Sequence, residues 1–242
     1  MRNFRSYKLE ALVIRRRNFS EKDRILTLFS EEEGKIDVIS KGCRRPGSRL
    51  CGFSDIGLVG AFHLHKAKFL PIVREVDPIY IPEGAHGKFE KTQKLGFAFK
   101  IIDKLFHVEE PHGKTYKVLK QAVETIVDGD FQLAFLSFLA RVVEDLGLKP
   151  ELYSCHICGK KISPSSKINF SYRGGIAHEK CLETDCEKVT SRDVKLLRII
   201  FDKPFETVSR SRVDGRVFKK VYGIVKSYIE WHFGEILPEK LL

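Results

Sequence analysis

The sequence contains no run of about 18 or more apolar residues, the length that a membrane-spanning helix needs. Its first residues, Met1 to Arg5, lack the apolar core of a secretory signal. We find no Gly-rich phosphate loop, metalloprotease helix or nucleophile elbow, and no internal repeat or low-complexity tract. These absences argue against a membrane protein, a secreted protein and several common classes of enzyme. We therefore expect a cytoplasmic protein with no membrane partner and no catalytic activity.

The composition is that of a folded and strongly basic chain. Its 242 residues are 43% hydrophobic, which is enough to bury a substantial core in one large domain or two smaller ones. Forty-three Lys and Arg against 32 Asp and Glu give a formal net charge of +11. A field of that sign attracts phosphate groups over long range, so the charge favours nucleic acid or an anionic membrane surface as partner.

Residues 41–49 carry four cations on a segment that also contains two glycines and one proline. Such a segment is not expected to be helical, and its side chains can follow an extended polyanion. Residues 1–80 as a whole hold 16 Lys and Arg against ten Asp and Glu, so the segment lies in a basic part of the chain. We therefore predict that Lys41, Arg44, Arg45 and Arg49 bind phosphate.

Five short runs of β-branched and aromatic residues, separated by turn signals, predict strands in the first 80 residues. The runs are residues 9–15, 24–30, 35–40, 57–64 and 69–76. Five short strands suggest a small closed barrel. We favour an OB-fold, because that barrel has five strands and commonly binds single-stranded nucleic acid; an SH3-like barrel fits the strand count nearly as well.

Helical periodicity replaces the strand pattern after about residue 88. It predicts helices over residues 89–106 and 116–126, a central helix with Asp130 as N-cap that stops at Gly147, and two last helices over 191–201 and 214–233. The predicted fold class is α+β. An OB-fold barrel that binds nucleic acid spans residues 1–80, and an all-α domain with a zinc-binding insertion at about 151–188 spans residues 81–242.

Two ligand pairs, Cys155-x2-Cys158 and His178-x2-Cys181, are separated by 19 residues, which is the spacing of a four-ligand structural zinc site. Four protein ligands leave no position for a water molecule, so one such zinc ion would brace the fold and not catalyse. Cys186 is an alternative ligand in place of His178 or Cys181. A metal-free lobe with ordinary buried thiols is a further alternative.

Several segments together resemble those of a known family. They are Ala-Leu-Val-Ile-Arg at 11–15, Glu-Lys-Asp-Arg-Ile-Leu-Thr-Leu-Phe at 21–29, Gly-Lys at 34–35, the basic residues 41–49, the two ligand pairs, and Gly-Gly-Ile-Ala at 174–177. Their order and spacing are similar to those of the bacterial RecO recombination mediators, over nearly the whole chain. His178 stands where the family commonly has cysteine, and neutral imidazole is an equally good zinc ligand.

The resemblance implies a non-enzymatic DNA-binding protein of recombinational DNA repair. Members of this family bind single-stranded and double-stranded DNA, anneal complementary strands, associate with RecR, and help to load RecA onto DNA covered by single-stranded-DNA-binding protein. A cytoplasmic, nucleoid-associated location follows from that role. Carried over by position, the DNA-contacting residues implied by the resemblance are Arg15, Lys35, Lys41, Arg44, Arg45 and Arg49.

Two other functions are alternatives. The same barrel and charge would serve an RNA-binding or ribosome-associated zinc protein. A zinc enzyme is the second alternative, since His107, Glu109 and the first cysteine pair superficially match zinc deaminases, but Ser154 stands in place of their proline.

Two further features bear on nucleic-acid binding. Phe19 and Phe53, both in predicted loops, are candidates for stacking on bases. The segment 203–226 carries more cations than carboxylates, and it is either a second phosphate-binding surface or a solvated helix face.

Overall fold

A computed structural model of the chain describes residues 6–81, 89–128, 131–163, 166–181 and 184–237. The chain divides into two compact units, Met1–Val127 and Asp128–Leu242. None of the described helices combines the length and the hydropathy that crossing a bilayer requires.

The first unit contains a closed five-stranded barrel. Its strands are β1 (Ser6–Asn18), β2 (Arg24–Ser30), β3 (Gly34–Ser40), β4 (Val59–His65) and β5 (Ile72–Tyr80). They follow the order β1-β2-β3-β5-β4, and β4 closes the barrel by pairing with β1. The β3–β5 pairing is parallel, and the other four are antiparallel. The five strands predicted from the sequence are thus confirmed.

Alternation of apolar residues explains how the barrel fills its interior. Alternate residues of a strand point to opposite faces, so Leu9, Ala11 and Val13 of β1 point inward together with Ile36 and Val38 of β3. These side chains are at most 5% exposed and belong to one hydrophobic cluster. At about 25 cal/mol per Å² of buried apolar surface, such a cluster is the main stabilising contribution to the barrel.

Two helices, α1 (Phe89–Leu105) and α2 (Gly113–Asp128), belong to the same compact unit as the barrel. The ring of Phe29, on the outer side of β2, lies 5.8 Å from that of Phe106 and 6.2 Å from that of Tyr116. The Tyr116 hydroxyl donates a hydrogen bond of 2.9 Å to Glu10 of β1, and the Lys120 ammonium contacts the same carboxylate at 2.8 Å. Apolar packing of Phe106, directly after α1, and of Tyr116 therefore places both helices on the outside of the barrel, and the Glu10 carboxylate attaches α2 in addition.

The change from strands to helices falls between β5 and α1, near the predicted domain boundary at residue 80. Because α1 and α2 pack on the barrel, however, the compact unit extends to Val127. The assignment of residues 1–80 and 81–242 to separate domains stays a prediction.

The second unit contains four described helices: α3 (Phe131–Asp145), α4 (Ser191–Asp202), α5 (Phe205–Ser209) and α6 (Gly215–Phe233). Helix α3 contacts the other three, and its side chains from Leu133 to Ala140 are at most 2% exposed. The sequence predicts this central helix correctly, whereas its predicted N-cap, Asp130, lies outside the described residues. Gly147, with a φ angle of 76°, takes the chain out of the helical path.

A small sheet between α3 and α4 is absent from the sequence-based predictions. It consists of β6 (Ile168–Ser171), β7 (Gly175–His178) and β8 (Cys186–Lys188), with β6 in the middle. A single turn of 3₁₀ helix, Glu179–Cys181, follows β7. Strands of three or four residues carry too little alternation to be recognised in a sequence.

Gly34 provides a test of how closely the connection between α1 and α2 docks on the barrel. Its φ angle is 63°, and a Cβ at this position would lie 1.9 Å from the carbonyl oxygen of Glu110. We expect Gly34→Ala to lower the free energy of unfolding by roughly 2–5 kcal/mol, from backbone strain plus overpacking. Urea unfolding of the purified variant measures this loss.

Gly47→Ala is the matched control. Gly47 also has a positive φ angle, 75°, but a Cβ there would meet nothing within 4 Å. Only the backbone strain of the positive φ angle should remain, and it should lower the free energy of unfolding by about 1 kcal/mol. Equal losses in the two variants would show that the close approach of Glu110 does not contribute.

Candidate metal centre and nucleic-acid interface

Residues 41–49, hereafter the basic loop, leave the barrel at the end of β3. The start of the loop is hydrogen-bonded to the β1–β2 connection. The Gly42 N–H donates to the Asp23 carboxylate at 2.8 Å, and the Arg44 N–H donates to the Lys22 carbonyl oxygen at 3.1 Å. Gly42 has a φ angle of 67°, which lets the backbone turn at that point. The backbone therefore holds the start of the loop in place. One basic side chain takes part as well, since the Arg44 guanidinium donates to the Ser20 carbonyl oxygen at 2.8 Å.

The basic loop turns its cysteine and its cations in opposite directions. Cys43 is fully buried, whereas the four cations Lys41, Arg44, Arg45 and Arg49 are exposed. Within the described ranges of the chain, none of these four cations has a carboxylate partner at salt-bridge distance. Their positive charge is uncompensated, and a phosphate backbone is a ligand that would compensate it.

Arg15 and Lys35, the other two residues implied as DNA contacts, lie together at a different place. Both contact the carboxylate of Asp103 in α1, Arg15 at 3.0 Å and Lys35 at 3.2 Å. The Lys35 side chain is only 9% exposed, and its ammonium also donates to the Asp103 carbonyl oxygen at 2.5 Å. Lys35 is thus engaged in attaching α1 to β3, and its role as a DNA contact stays a prediction. Arg15 is 47% exposed and stays a candidate.

Aromatic side chains are exposed in two loops of the barrel. Phe19, in the β1–β2 connection, is 59% exposed, whereas Phe53 is partly buried against the hydrophobic cluster of the barrel. Phe69, in the β4–β5 connection, is 85% exposed. The predicted fifth strand, residues 69–76, includes Phe69, but β5 begins only at Ile72, directly after Pro71, and Pro71 is the signal in the sequence for that later start.

The β4–β5 connection lies beside the start of the basic loop. The Ile39 N–H near the end of β3 donates to the Pro71 carbonyl oxygen at 2.8 Å, and Ile39 pairs with Ile72. The Lys68 ammonium lies 5.5 Å from the centre of the Phe69 ring. Cations and exposed aromatic rings therefore meet at one end of β3.

Two cysteine- and histidine-bearing turns come together in the second unit. Cys155 and Cys158 lie in the turn that follows α3, His178 ends β7, and Cys181 ends the 3₁₀ turn. One ligand atom from each of the four residues lies within 4.8 Å of all the others, and Cys158 Sγ lies 3.5 Å from His178 Nδ1. Cys186 lies in β8, opposite Ser171, and is not a member of this group.

Backbone hydrogen bonds join the two turns. The carbonyl oxygen of Glu151 accepts from the Ile176 N–H at 2.8 Å, and the Ile176 carbonyl oxygen accepts from the His156 N–H at 2.9 Å. Gly175 has a φ angle of 119°, and a Cβ there would lie 2.3 Å from the Glu151 carbonyl oxygen. A glycine is therefore required where β7 passes the cysteine turn.

The thiols of the cluster differ in acidity. Burial raises the pKa of Cys155, but hydrogen bonds from the backbone amides of Cys158, His178 and Ile157 act more strongly in the opposite direction and leave that pKa at about 6. Burial, together with hydrogen bonds to the Cys158 and Cys155 thiols, raises the pKa of Cys181 to about 11. The Cys155 thiol therefore loses its proton readily, and its negative charge disfavours ionisation of the Cys181 thiol. A bound divalent cation would stabilise both thiolates.

The geometry fits a tetrahedral metal ion. Zn–S bonds of about 2.3 Å and Zn–N bonds of about 2.0 Å separate neighbouring ligand atoms by roughly 3.3–3.8 Å. The four ligand atoms are already within 4.8 Å of one another, so shifts of less than about 1 Å would complete the site. This Cys₃His cluster could hold one metal ion.

Comparisons with known proteins agree over both units. The family described as "Recombination protein O N terminal" matches residues 1–82, and "Recombination protein O C terminal" matches residues 88–241. A protein of Desulforamulus reducens named "DNA repair protein RecO" is 26% identical over 93% of this chain and 89% of its own length. A protein of Bacillus subtilis with the same name is 24% identical over 96% of this chain and 92% of its own length.

The composition of the cluster generates a prediction about its metal. Protein purified without added metal should contain about one equivalent of a divalent ion, because four ligands close one tetrahedral site. We expect Cys181→Ser to lose most of that metal and to unfold at a lower temperature, since metal binding contributes to folding. Elemental analysis and thermal melting measure both effects.

Cys186→Ser is the control, since Cys186 is a partly exposed cysteine of the same lobe that lies outside the group of four. It should retain the metal. Retention by Cys181→Ser and loss by Cys186→Ser would assign the fourth ligand to Cys186 instead.

Proposed function

Because the chain belongs to the RecO family of DNA repair proteins, we propose that it binds single-stranded and double-stranded DNA and anneals complementary strands during recombinational repair. It then helps to load a recombinase on single-stranded DNA. These steps require that DNA strands are bound and positioned, and in this proposal the protein performs them without catalysing a reaction.

The observation that carries this proposal is the basic loop on a closed barrel. Lys41, Arg44, Arg45 and Arg49 are exposed and lack carboxylate partners in the parts of the chain that are described. Annealing brings two polyanions together, which requires cations that are free to neutralise phosphate. Cations already paired within the fold would have to break an ion pair first.

We assign the barrel to the OB-fold. Its strand order, with β3 beside β5 and β4 closing on β1, supports the five-stranded Greek-key arrangement of that fold. OB-folds commonly bind single strands through a basic groove and aromatic side chains. Phe19 and Phe69 are suitable stacking residues, because both are exposed. Phe19 lies in the β1–β2 connection, which is hydrogen-bonded to the basic loop, and Phe69 lies in the β4–β5 connection, beside the start of that loop.

We further propose that the Cys₃His cluster holds one structural zinc ion. Three thiolates and one imidazole are ligands that zinc prefers in closed, four-coordinate sites. Cys155, Cys158, His178 and Cys181 would hold it. The ion would supply folding free energy to the small sheet and leave no open position for a substrate.

Partners follow from the same proposal. RecR and single-stranded-DNA-binding protein are the expected protein partners, and the expected location is the cytoplasm, at the nucleoid. The relatives are named as DNA repair proteins, which supports DNA over RNA as the ligand.

Strand annealing tests the proposal directly. The protein should accelerate the pairing of complementary DNA oligonucleotides at moderate salt. The loss of fluorescence from a labelled strand measures the rate of pairing. Acceleration with RNA and none with DNA would favour the RNA-binding alternative. No acceleration with either would contradict the proposed function.

Removing the four cations of the basic loop should weaken binding in a salt-dependent way. If each neutralises one phosphate, the quadruple Ala variant should lower the slope of log affinity against log salt by about 2.8, since each single-strand contact contributes roughly 0.7. Fluorescence anisotropy with a labelled oligonucleotide at several salt concentrations measures the slope.

The control removes four exposed cations elsewhere in the first unit: Lys8, Arg74, Lys100 and Lys117. Two of them already have carboxylate partners, Lys8 with Asp77 at 2.8 Å and Lys117 with Glu31 at 2.6 Å. The control should leave the slope nearly unchanged. An equal decrease in both variants would mean that total charge, and not the basic loop, determines binding.

Phe69→Ala should weaken single-strand binding without changing its salt slope. Loss of one base-stacking contact costs about 1–3 kcal/mol, or roughly 5- to 150-fold in affinity. Duplex affinity should stay the same, because paired bases are not available for stacking on a loop residue. Anisotropy with matched single-stranded and duplex probes makes the comparison.

Two variants serve as controls. Ile79→Ala truncates another exposed apolar residue of the barrel, 51% exposed, and should bind like the parent protein. Phe69→Trp should restore the affinity because it retains a stacking ring. Equal losses on single-stranded and duplex DNA would exclude stacking as the role of Phe69.

A further inference from the structure

A pocket of about 610 Å³ lies in the second unit, where the start of α4, the start of α6 and the end of β8 meet. We call it the cationic pocket, because four cations line it: Lys188, Arg192, Arg216 and Lys220. The predicted basic segment 203–226 includes two of these residues. The other two come from β8 and α4, so the sequence alone does not bring the four together.

Three of the four cations are available to a ligand. Lys188, Arg192 and Arg216 are exposed, and none has a carboxylate partner in the described portion of the chain. Lys220 is different, since it forms an ion pair with Glu187 of β8. The pocket therefore contains three cations that form no ion pair with a described residue and a fourth, Lys220, that is paired with Glu187.

Two carboxylates also line the pocket, and each is already engaged at the start of a helix. Asp193 is 4% exposed, and it accepts hydrogen bonds of 2.8 Å from both the backbone N–H and the hydroxyl of Thr190. Asp214 accepts from the Arg216 N–H at 2.9 Å. Negative charge at a helix start is compensated by the helix dipole. These carboxylates therefore offset the three available cations only in part.

The pocket chemistry favours phosphate over an apolar ligand. Arginine guanidinium groups bind phosphate oxygens through two parallel hydrogen bonds, and lysine adds a point charge. The Ser191 side chain supplies a hydroxyl at the same place. Val217 is the one purely apolar side chain among the described residues that line the pocket, so it offers little surface to an apolar group.

We infer that the cationic pocket binds backbone phosphates of a second nucleic-acid strand. This inference rests on the proposed annealing function, because annealing needs contacts to two polyanions and the basic loop supplies contacts to one. The ligand is a phosphate chain in an extended polymer. A free phosphate ion and an acidic protein segment are competing occupants that the experiment separates.

The first experiment compares two triple variants of the full-length protein. Lys188→Ala, Arg192→Ala and Arg216→Ala together remove the available cations of the pocket. Lys203→Ala, Arg210→Ala and Lys219→Ala remove the same charge from exposed positions of the second unit that do not line it. Melting curves establish that both variants are folded.

The pocket variant should anneal complementary oligonucleotides at least about fivefold more slowly, because three phosphate contacts are lost. Its affinity for a short single strand, which the basic loop can hold alone, should change less than about twofold. The control variant should anneal at nearly the parent rate. Equal annealing by both variants, or an equal decrease in both, would overturn the inference.

Protection of lysines from acylation separates this inference from the proposed function. In the presence of complementary strands, Lys188 should be protected together with Lys41 of the basic loop, whereas Lys203 and Lys219 should react as before. Protection of Lys41 alone would refute the pocket and leave the proposed function standing. Protection of Lys188 alone would refute the role of the basic loop.

Two further probes identify the occupant. Inorganic phosphate at millimolar concentration should not protect Lys188, since the inferred ligand is a polymer that makes several contacts at once. Protection by phosphate alone would reassign the pocket to a small ion. Protection by an acidic peptide but not by DNA would reassign it to a protein partner, and either result would overturn the inference.

Discussion

The length of β1 is the constraint on which the first unit depends. Its pairing with β4 ends at Leu12, while its pairing with β2 continues to Asn18. The exposed edge is covered by the chain that leads into β4: the Gly57 N–H donates to the Val13 carbonyl oxygen at 2.8 Å, and Asp55 forms an ion pair with Arg16. An uncovered edge would be open to pairing with other chains. The same coverage fixes the end of the long β3–β4 connection, of which the basic loop is the first part.

Pairing with carboxylates, and not the number of cations, determines which cations of the barrel are available to a ligand. Asp103 contacts both Lys35 and Arg15, so its single negative charge offsets only part of theirs, and Asp37 contacts Arg17 at 3.1 Å. These contacts join elements of the fold. The basic loop has no such partner in the described structure, and its exposure to water limits the repulsion among its four charges. The same division appears in the second unit, where Glu187 engages Lys220 while neighbouring cations stay available.

Much of the fold follows from local sequence. Alternation predicts the five strands, and helical periodicity over residues 214–233 predicts α6, which has Asp214 as its N-cap and Gly234 as its C-cap. The spacing of the ligand pairs predicts the cluster that the structure brings within 4.8 Å. Burial of Lys35 could not be predicted, because its countercharge comes from Asp103, 68 residues away. The position of α1 and α2 could not be predicted either, since the outward-facing Phe29 looks like a core residue in the sequence.

The Cys₃His cluster and the cationic pocket are connected through the small sheet. His178 ends β7, β7 pairs with β6, and β6 pairs with β8, which carries Glu187 and Lys188. Glu187 is held by the Tyr172 hydroxyl at 3.0 Å as well as by Lys220 of α6. A metal ion that fixes the end of β7 would therefore also fix the strand that carries one wall of the pocket. Under the proposed function, a metal ion in the cluster would thus contribute to nucleic-acid binding without touching the nucleic acid, because it would order the backbone from which the cations of the pocket extend.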